Sequence, residues 1–195
     1  RGIGAATALM AAEQGYDVAI TYKASREKAE EVVHNIRALG RRALAIQADA
    51  GKEADVVRTF AEFGEAFGQL DVLVYNAGIA GAWKRLDEVD ISTIRETLDT
   101  NLLGCILHSR EAVKLMATRH GGEGGNIILV SSRAATYGAA DHYVWYAASK
   151  GGVNSFMIGL AREVGVDGIR VNAVSPGPIR TGMTPPDLQA VTALG

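Results

Sequence analysis

Five short apolar runs, each separated from the next by a helical pattern, constrain this chain more than any other feature of it. The runs are Tyr16–Tyr22, Arg42–Gln47, Leu70–Tyr75, Asn126–Ser132 and Ile169–Ser175, and the helical segments are Ala5–Gln14, Ser25–Leu39, Glu53–Phe67, Ile91–His120 and Gly151–Val164. Strands joined through helices pair in parallel, because a parallel pair needs a long crossover where an antiparallel pair needs only a tight turn. The crossovers must be right-handed and the sheet covered on both faces, which predicts a doubly wound parallel α/β fold. In such sheets ligands bind beyond the carboxyl ends of the strands, so chemistry is sought there.

Size and charge narrow the classes further. The 195 residues are 48% hydrophobic, enough to bury a core within one domain spanning 1–195. A net charge of -2, with both signs mixed along the chain, gives no electrostatic case for nucleic acid or an anionic membrane as partner. No apolar run reaches the roughly 18 residues needed to span a bilayer. The single cysteine, Cys105, excludes an intrachain disulfide and fits a reducing, cytoplasmic setting. The four histidines form no metal-ligand spacing, so no metal is expected. His120–Gly125 is glycine-rich but precedes a strand instead of following one, which excludes it as a phosphate loop.

The chemistry concentrates after the fourth strand. Ser131 and Ser132 end it, and Tyr146 and Lys150 follow at a spacing of four, one helical turn apart on one face. A free phenol titrates at about 10, and a cation within roughly 4 to 6 Å favours the phenolate, so a tyrosine placed beside a lysine can exchange protons near neutral pH. Ser132 lies fourteen residues before Tyr146, and Ser131 fifteen. Other strand ends carry Asp49-Ala50, Asn76-Ala77-Gly78 and Pro176-Gly177-Pro178-Ile179-Arg180-Thr181, while Asn101 sits inside a long helical pattern and Arg1-Gly2-Ile3-Gly4 opens the first helix.

In this order and with these separations the segments resemble the short-chain dehydrogenase/reductase family over essentially the whole chain, nearest in look to 3-oxoacyl-carrier-protein reductases and glucose dehydrogenases. The resemblance implies a Rossmann fold that lacks its first and last strands here, since Gly2 and Gly4 match the last two glycines of a longer loop and Thr184–Gly195 looks like part of a substrate-covering loop. Tyr75 stands where the family usually shows a first asparagine. The implied reaction is hydride transfer between a nicotinamide and a carbonyl or secondary alcohol, with a 3-oxoacyl thioester, small ketone or sugar as substrate. Tyr146 would be the general acid and base, Ser132 a hydrogen-bond donor to the same oxygen, Lys150 a holder of the ribose and a bias on Tyr146, and Asn101 the holder of a relay water.

Cofactor contacts carried over are Arg1, Gly2, Ile3, Gly4, Tyr22, Lys23, Asp49, Ala50, Asn76, Ala77, Gly78, Tyr146, Lys150, Pro176, Gly177, Ile179 and Thr181. Thr21-Tyr22-Lys23-Ala24-Ser25 lacks the acid that would bind a ribose 2'-hydroxyl, and Arg1 and Lys23 add positive charge, so NADP(H) is expected over NAD(H). The apolar faces of Asn101–His120 and Tyr146–Val164 resemble the family's interface, implying a homodimer or homotetramer. Two other classes share parts of this pattern: a sensor or scaffold that binds NADP(H) without chemistry, and a sugar-nucleotide epimerase.

Overall fold

The computed structural model describes residues 1–179. Helix α1 (Gly2–Glu13) leads to strand β1 (Val18–Tyr22), α2 (Arg26–Ala38), β2 (Ala43–Gln47), α3 (Glu53–Phe67) and β3 (Val72–Tyr75). Helix α4 (Ile91–Leu98) passes through a π-helical turn, Asp99–Leu103, into α5 (Gly104–Met116), and β4 (Gly125–Val130), α6 (Ala134–Tyr137), α7 (Val144–Val164) and β5 (Ile169–Val174) complete the described elements. All five strands match the apolar runs to within two residues at either end. Every pairing is parallel.

The strands form two parallel sheets, β1-β2 and β3-β4-β5, as a doubly wound fold lacking its first strand would. The facing edges Val18–Tyr22 and Val72–Tyr75 border one cavity of about 1680 Å³, which runs along α1 and on to the ends of β4 and β5. It reaches Gly2, the point where a strand was expected to feed the glycines.

Each sheet has its own core. Ala8 and Ala12 of α1 meet Val32, Val33 and Ile36 of α2 over Ala43 of β2. The helical spacing of Ala29, Val32, Val33 and Ile36 makes the apolar stripe that α2 buries. The larger core packs Cys105, Ala112, Val113 and Met116 of α5 and Val153, Leu160 and Val164 of α7 against Ile127, Leu129, Ile169 and Val171. Ile127 lies in register between Leu73 and Val171 and is fully buried, so the centre of the three-stranded sheet is solid and its C-terminal ends are fixed in space. Among the described residues no helix is long and apolar enough to cross a membrane.

Candidate active site

The site is assembled at the strand ends. Strand β4 stops at Val130, and Ser131 and Ser132 turn away from it into α6. The Ala134 amide donates to Ser132 Oγ at 3.1 Å, which fixes that oxygen and leaves its proton free to point outward. Helix α7 carries Tyr146 and Lys150 one turn apart, and both line one cavity with Ser132. Burial holds the Tyr146 phenol above its ordinary value, and the Ser132 hydroxyl works against that shift. Lys150 is only 3% exposed, and burial pushes its ammonium down to about 8. Its Nζ donates to the Val130 carbonyl at 2.7 Å and stands 5.9 Å from the Tyr146 ring centroid. In this arrangement the downward influence on the phenol comes from Ser132, whereas the sequence pattern had assigned it to the lysine.

Asn101 is fully buried in the π-helical turn. A π turn bonds each amide one residue further back than an α turn does, and such turns occur often at functional sites. Asn101 Oδ1 accepts from the Ile79 amide at 2.8 Å, while Nδ2 donates to the Ile79 carbonyl and to Ser149 Oγ, both at 2.9 Å. Ser149 in turn donates to the Tyr146 carbonyl at 2.7 Å. The asparagine therefore ties the end of β3 to the first turn of α7. Ser149 was not singled out from the sequence, although it lies inside the Tyr-to-Lys interval one turn past Tyr146. Gly78 lies beneath this junction: a Cβ there would stand 3.3 Å from Lys150 Nζ and 3.4 Å from Asn101 Oδ1.

The glycines of the first helix meet the same strand end. A Cβ on Gly4 would approach Asn76 Nδ2 to 2.6 Å, so a side chain there would require the Asn76 side chain to move. The first turn of α1 carries no acidic residue and no side-chain cap, so its unpaired amides border the cavity as an anion-binding edge. That edge and the close approach at Gly4 fit a phosphate-bearing nucleotide. Ser132, Tyr146, Lys150, Arg1, Gly2, Ile3, Gly4, Tyr22, Lys23, Asn76, Ala77, Gly78, Pro176, Gly177 and Ile179 line this one cavity. Asp49, Ala50 and Asn101 are not among the residues that line it, and Thr181 lies outside the described residues.

At the far end Lys23 has partners that the local sequence does not reveal. Its Nζ lies 3.1 Å from Asp49 Oδ2 and 3.1 Å from Glu96 Oε1, and these two carboxylates raise its pKa, Asp49 foremost. Asp49 also caps its own turn, accepting from the Gly51 amide at 3.2 Å. Among the described residues no cluster of His, Cys, Asp and Glu could hold a metal ion.

A parallel α/β fold that brings bare helix amides and a buried tyrosine–lysine pair to one cleft has the build of a nicotinamide-dependent oxidoreductase. Comparison with known proteins makes the assignment narrower. The pattern of the short chain dehydrogenase family matches residues 1–191, and the chain belongs to that family. It is 44% identical over 183 residues to the uncharacterized oxidoreductase YgfF of Escherichia coli K12, covering 94% of this chain and 74% of that protein. It is 40% identical over 183 residues to versicolorin reductase 1 of Aspergillus parasiticus, covering 94% of this chain and 68% of the relative. The crystal structure of a short chain dehydrogenase from Burkholderia cenocepacia J2315 in complex with NADP superposes with a TM-score of 0.90 at 45% identity, covering 99% of this chain and 76% of that one.

Proposed function

We propose that the protein is an NADP(H)-dependent reductase or dehydrogenase acting on a ketone or secondary alcohol, a 3-oxoacyl thioester or small ketone or sugar among them, with Tyr146 as the proton donor and acceptor. The observation that carries this reading is that Ser132 and Tyr146 line one cavity with the first turn of α1, with the Lys150 side chain buried beside them. The nicotinamide supplies the hydride when bound.

The chain's own groups handle the oxygen. Ser132 Oγ, oriented by the Ala134 amide, donates to the substrate oxygen and stabilises the negative charge that develops on it. Tyr146 delivers the proton to that oxygen in reduction and takes it back in oxidation. Lys150 would hold positive charge beside the phenol and bond the ribose. The Asn101–Ser149 link keeps the first turn of α7, and with it Tyr146, against the end of β3. Arg1 and the amides of α1 would hold the phosphates, and Lys23 the 2'-phosphate. The lone cysteine is buried, which suits a cytoplasmic enzyme, and a homodimer or homotetramer is part of this reading.

Two measurements test it. Titration with NADPH and NADH in parallel should show tighter binding of NADPH. The Tyr146→Phe variant should bind NADPH as the native protein does and lose turnover by at least about a hundredfold, the usual contribution of a general acid. Turnover retained in that variant would remove Tyr146 from its role, and binding of neither nucleotide would remove the reaction.

A further inference from the structure

The cavity wall beside Tyr146 is aromatic. The Tyr143 ring stands edge-on to Tyr146 at 5.4 Å and 89°, Trp83 lies 5.1 Å from Tyr143, and His142 lies 4.6 Å from Trp83. All four rings border the cavity that Ser132 enters. They differ from the core aromatics of this chain. Tyr75 and Trp145 are 3% and 4% exposed, whereas Trp83, Tyr143 and Tyr146 are half-buried and His142 is exposed. None of Trp83, His142 and Tyr143 is needed to move the proton or hold the dinucleotide.

Their placement is enforced. Trp83 and His142 come from separate loops; two bonds join those loops and a third ties the Trp83 loop to α7. The Lys84 amide donates to the His142 carbonyl at 2.9 Å, Arg85 pairs with Asp141 at 2.5 Å, and Trp145 Nε1 donates to the Ala80 carbonyl at 3.0 Å. On the other loop Ala139 and Asp141 have φ of 51° and 63°, a left-handed conformation that residues with a Cβ enter at a cost. Strain of this kind persists where surrounding contacts over-determine the backbone, and here its result is to present His142 and Tyr143 to Trp83.

We propose that Trp83, His142 and Tyr143 form a stacking subsite for carbonyl compounds whose carbonyl is conjugated to a planar ring system, an aryl ketone or its alcohol. A flat π system gains from offset or edge-to-face contact with these rings in addition to the area it buries, and a saturated ring of the same size gains only the area. The direction of the wall sets the orientation: the ring plane lies towards Trp83 and the carbonyl reaches the Ser132 and Tyr146 hydroxyls. The orientation rests on the oxidoreductase reading, whereas the stacking does not.

The test compares 1-tetralone with trans-1-decalone, which share a bicyclic frame and differ in the aromatic ring. Conjugation lowers the intrinsic reactivity of the carbonyl, so the quantity read is the ratio of kcat/KM for the two ketones and its change on substitution. Trp83→Leu should lower the aryl-to-saturated ratio about tenfold, and Trp83→Phe, which restores a ring, should keep it within about twofold of the native value. The same two ketones are titrated calorimetrically into the NADPH-loaded protein, with unfolding curves for each variant.

A ratio unchanged in both variants overturns the subsite and leaves the reductase standing. Tighter binding of 1-tetralone that Trp83→Leu abolishes, without reduction of either ketone, upholds the subsite and removes the reductase. If NADPH does not bind, the comparison on the protein alone decides the subsite. If neither ketone binds, the subsite is overturned.

Discussion

The Tyr75 hydroxyl at the end of β3 donates to the carbonyl of Thr100, the residue before Asn101. The π turn creates the need for that bond. The Gly104 amide reaches back to the Asp99 carbonyl, so the buried Thr100 loses for its carbonyl the partner that an α-helix would give it. Burial pushes the Tyr75 phenol well above its ordinary value, so it remains a donor. Gly104 makes room for it: a Cβ there would collide with the Tyr75 hydroxyl and come within 2.5 Å of the Ala50 carbonyl oxygen.

Tyr75→Phe keeps the ring and removes the donor, stranding the Thr100 carbonyl. A loss of about 1–3 kcal/mol is expected in denaturant unfolding, together with reduced turnover and unchanged NADPH affinity, because the turn that positions Asn101 loosens while the nucleotide cleft does not. Gly104→Ala should destabilise by a further mechanism, overpacking, of about 1–3 kcal/mol. The two changes should be less than additive when combined, since Tyr75→Phe removes one of the two collisions. Full additivity would mean that hydroxyl and glycine are not a matched pair.

Asn101 provides a second test in the same region. Asn101→Asp preserves shape and Oδ1 but replaces the Nδ2 donor, leaving the Ile79 carbonyl and Ser149 Oγ facing an acceptor. About 1–3 kcal/mol should be lost per stranded group. Ser149→Ala should cost less, about 0.5–1.5 kcal/mol, because its partners keep other bonds. If Ser149→Ala lowers kcat while cofactor affinity holds, the link from Asn101 to Tyr146 acts on chemistry as well as on folding. Unchanged kcat would restrict it to folding.

Lys150 is expected to oppose stability in the nucleotide-free protein. Its folded pKa of about 8 lies below the ordinary lysine value of 10.5, so burying the ammonium costs most below pH 8. Between pH 8 and 10.5 the unfolded chain binds the proton that the folded one has lost, and stability from this group rises with pH across that window. Lys150→Met should therefore stabilise the fold at pH 7, by about 1–3 kcal/mol, and flatten that rise, while abolishing turnover. A destabilised Met variant would show that the bond to the Val130 carbonyl outweighs desolvation.

The parallel α/β architecture was legible because apolar run and helical period alternate without exception, and strand ends fell within two residues of the runs. Ser132, Tyr146 and Lys150 were legible as a group because one strand and one helix bring them together locally. The π turn was not, since no residue of Asp99–Leu103 encodes it alone; it depends on a hydroxyl from Tyr75 and an amide pair on Ile79. The charge around Lys23 was misjudged for a related reason. The local window Thr21–Ser25 holds no acid, and the fold delivers two, from Asp49 and Glu96.

Those two acids give the last prediction. A 2'-phosphate approaching Lys23 meets a cation already engaged by two carboxylates, so part of its attraction is offset. Asp49 is held in its turn by the Gly51 amide, whereas Glu96 is 59% exposed on α4 and can swing away. Glu96→Gln should remove one repulsive charge and free Lys23, tightening NADPH binding about two- to five-fold, the range that an exposed ion pair spans, with NADH affinity unchanged. The gain should shrink as salt is raised, because both groups are exposed to solvent. Equal tightening of both nucleotides would place the effect on the shared adenosine, and no change in either would move the 2'-phosphate away from Lys23.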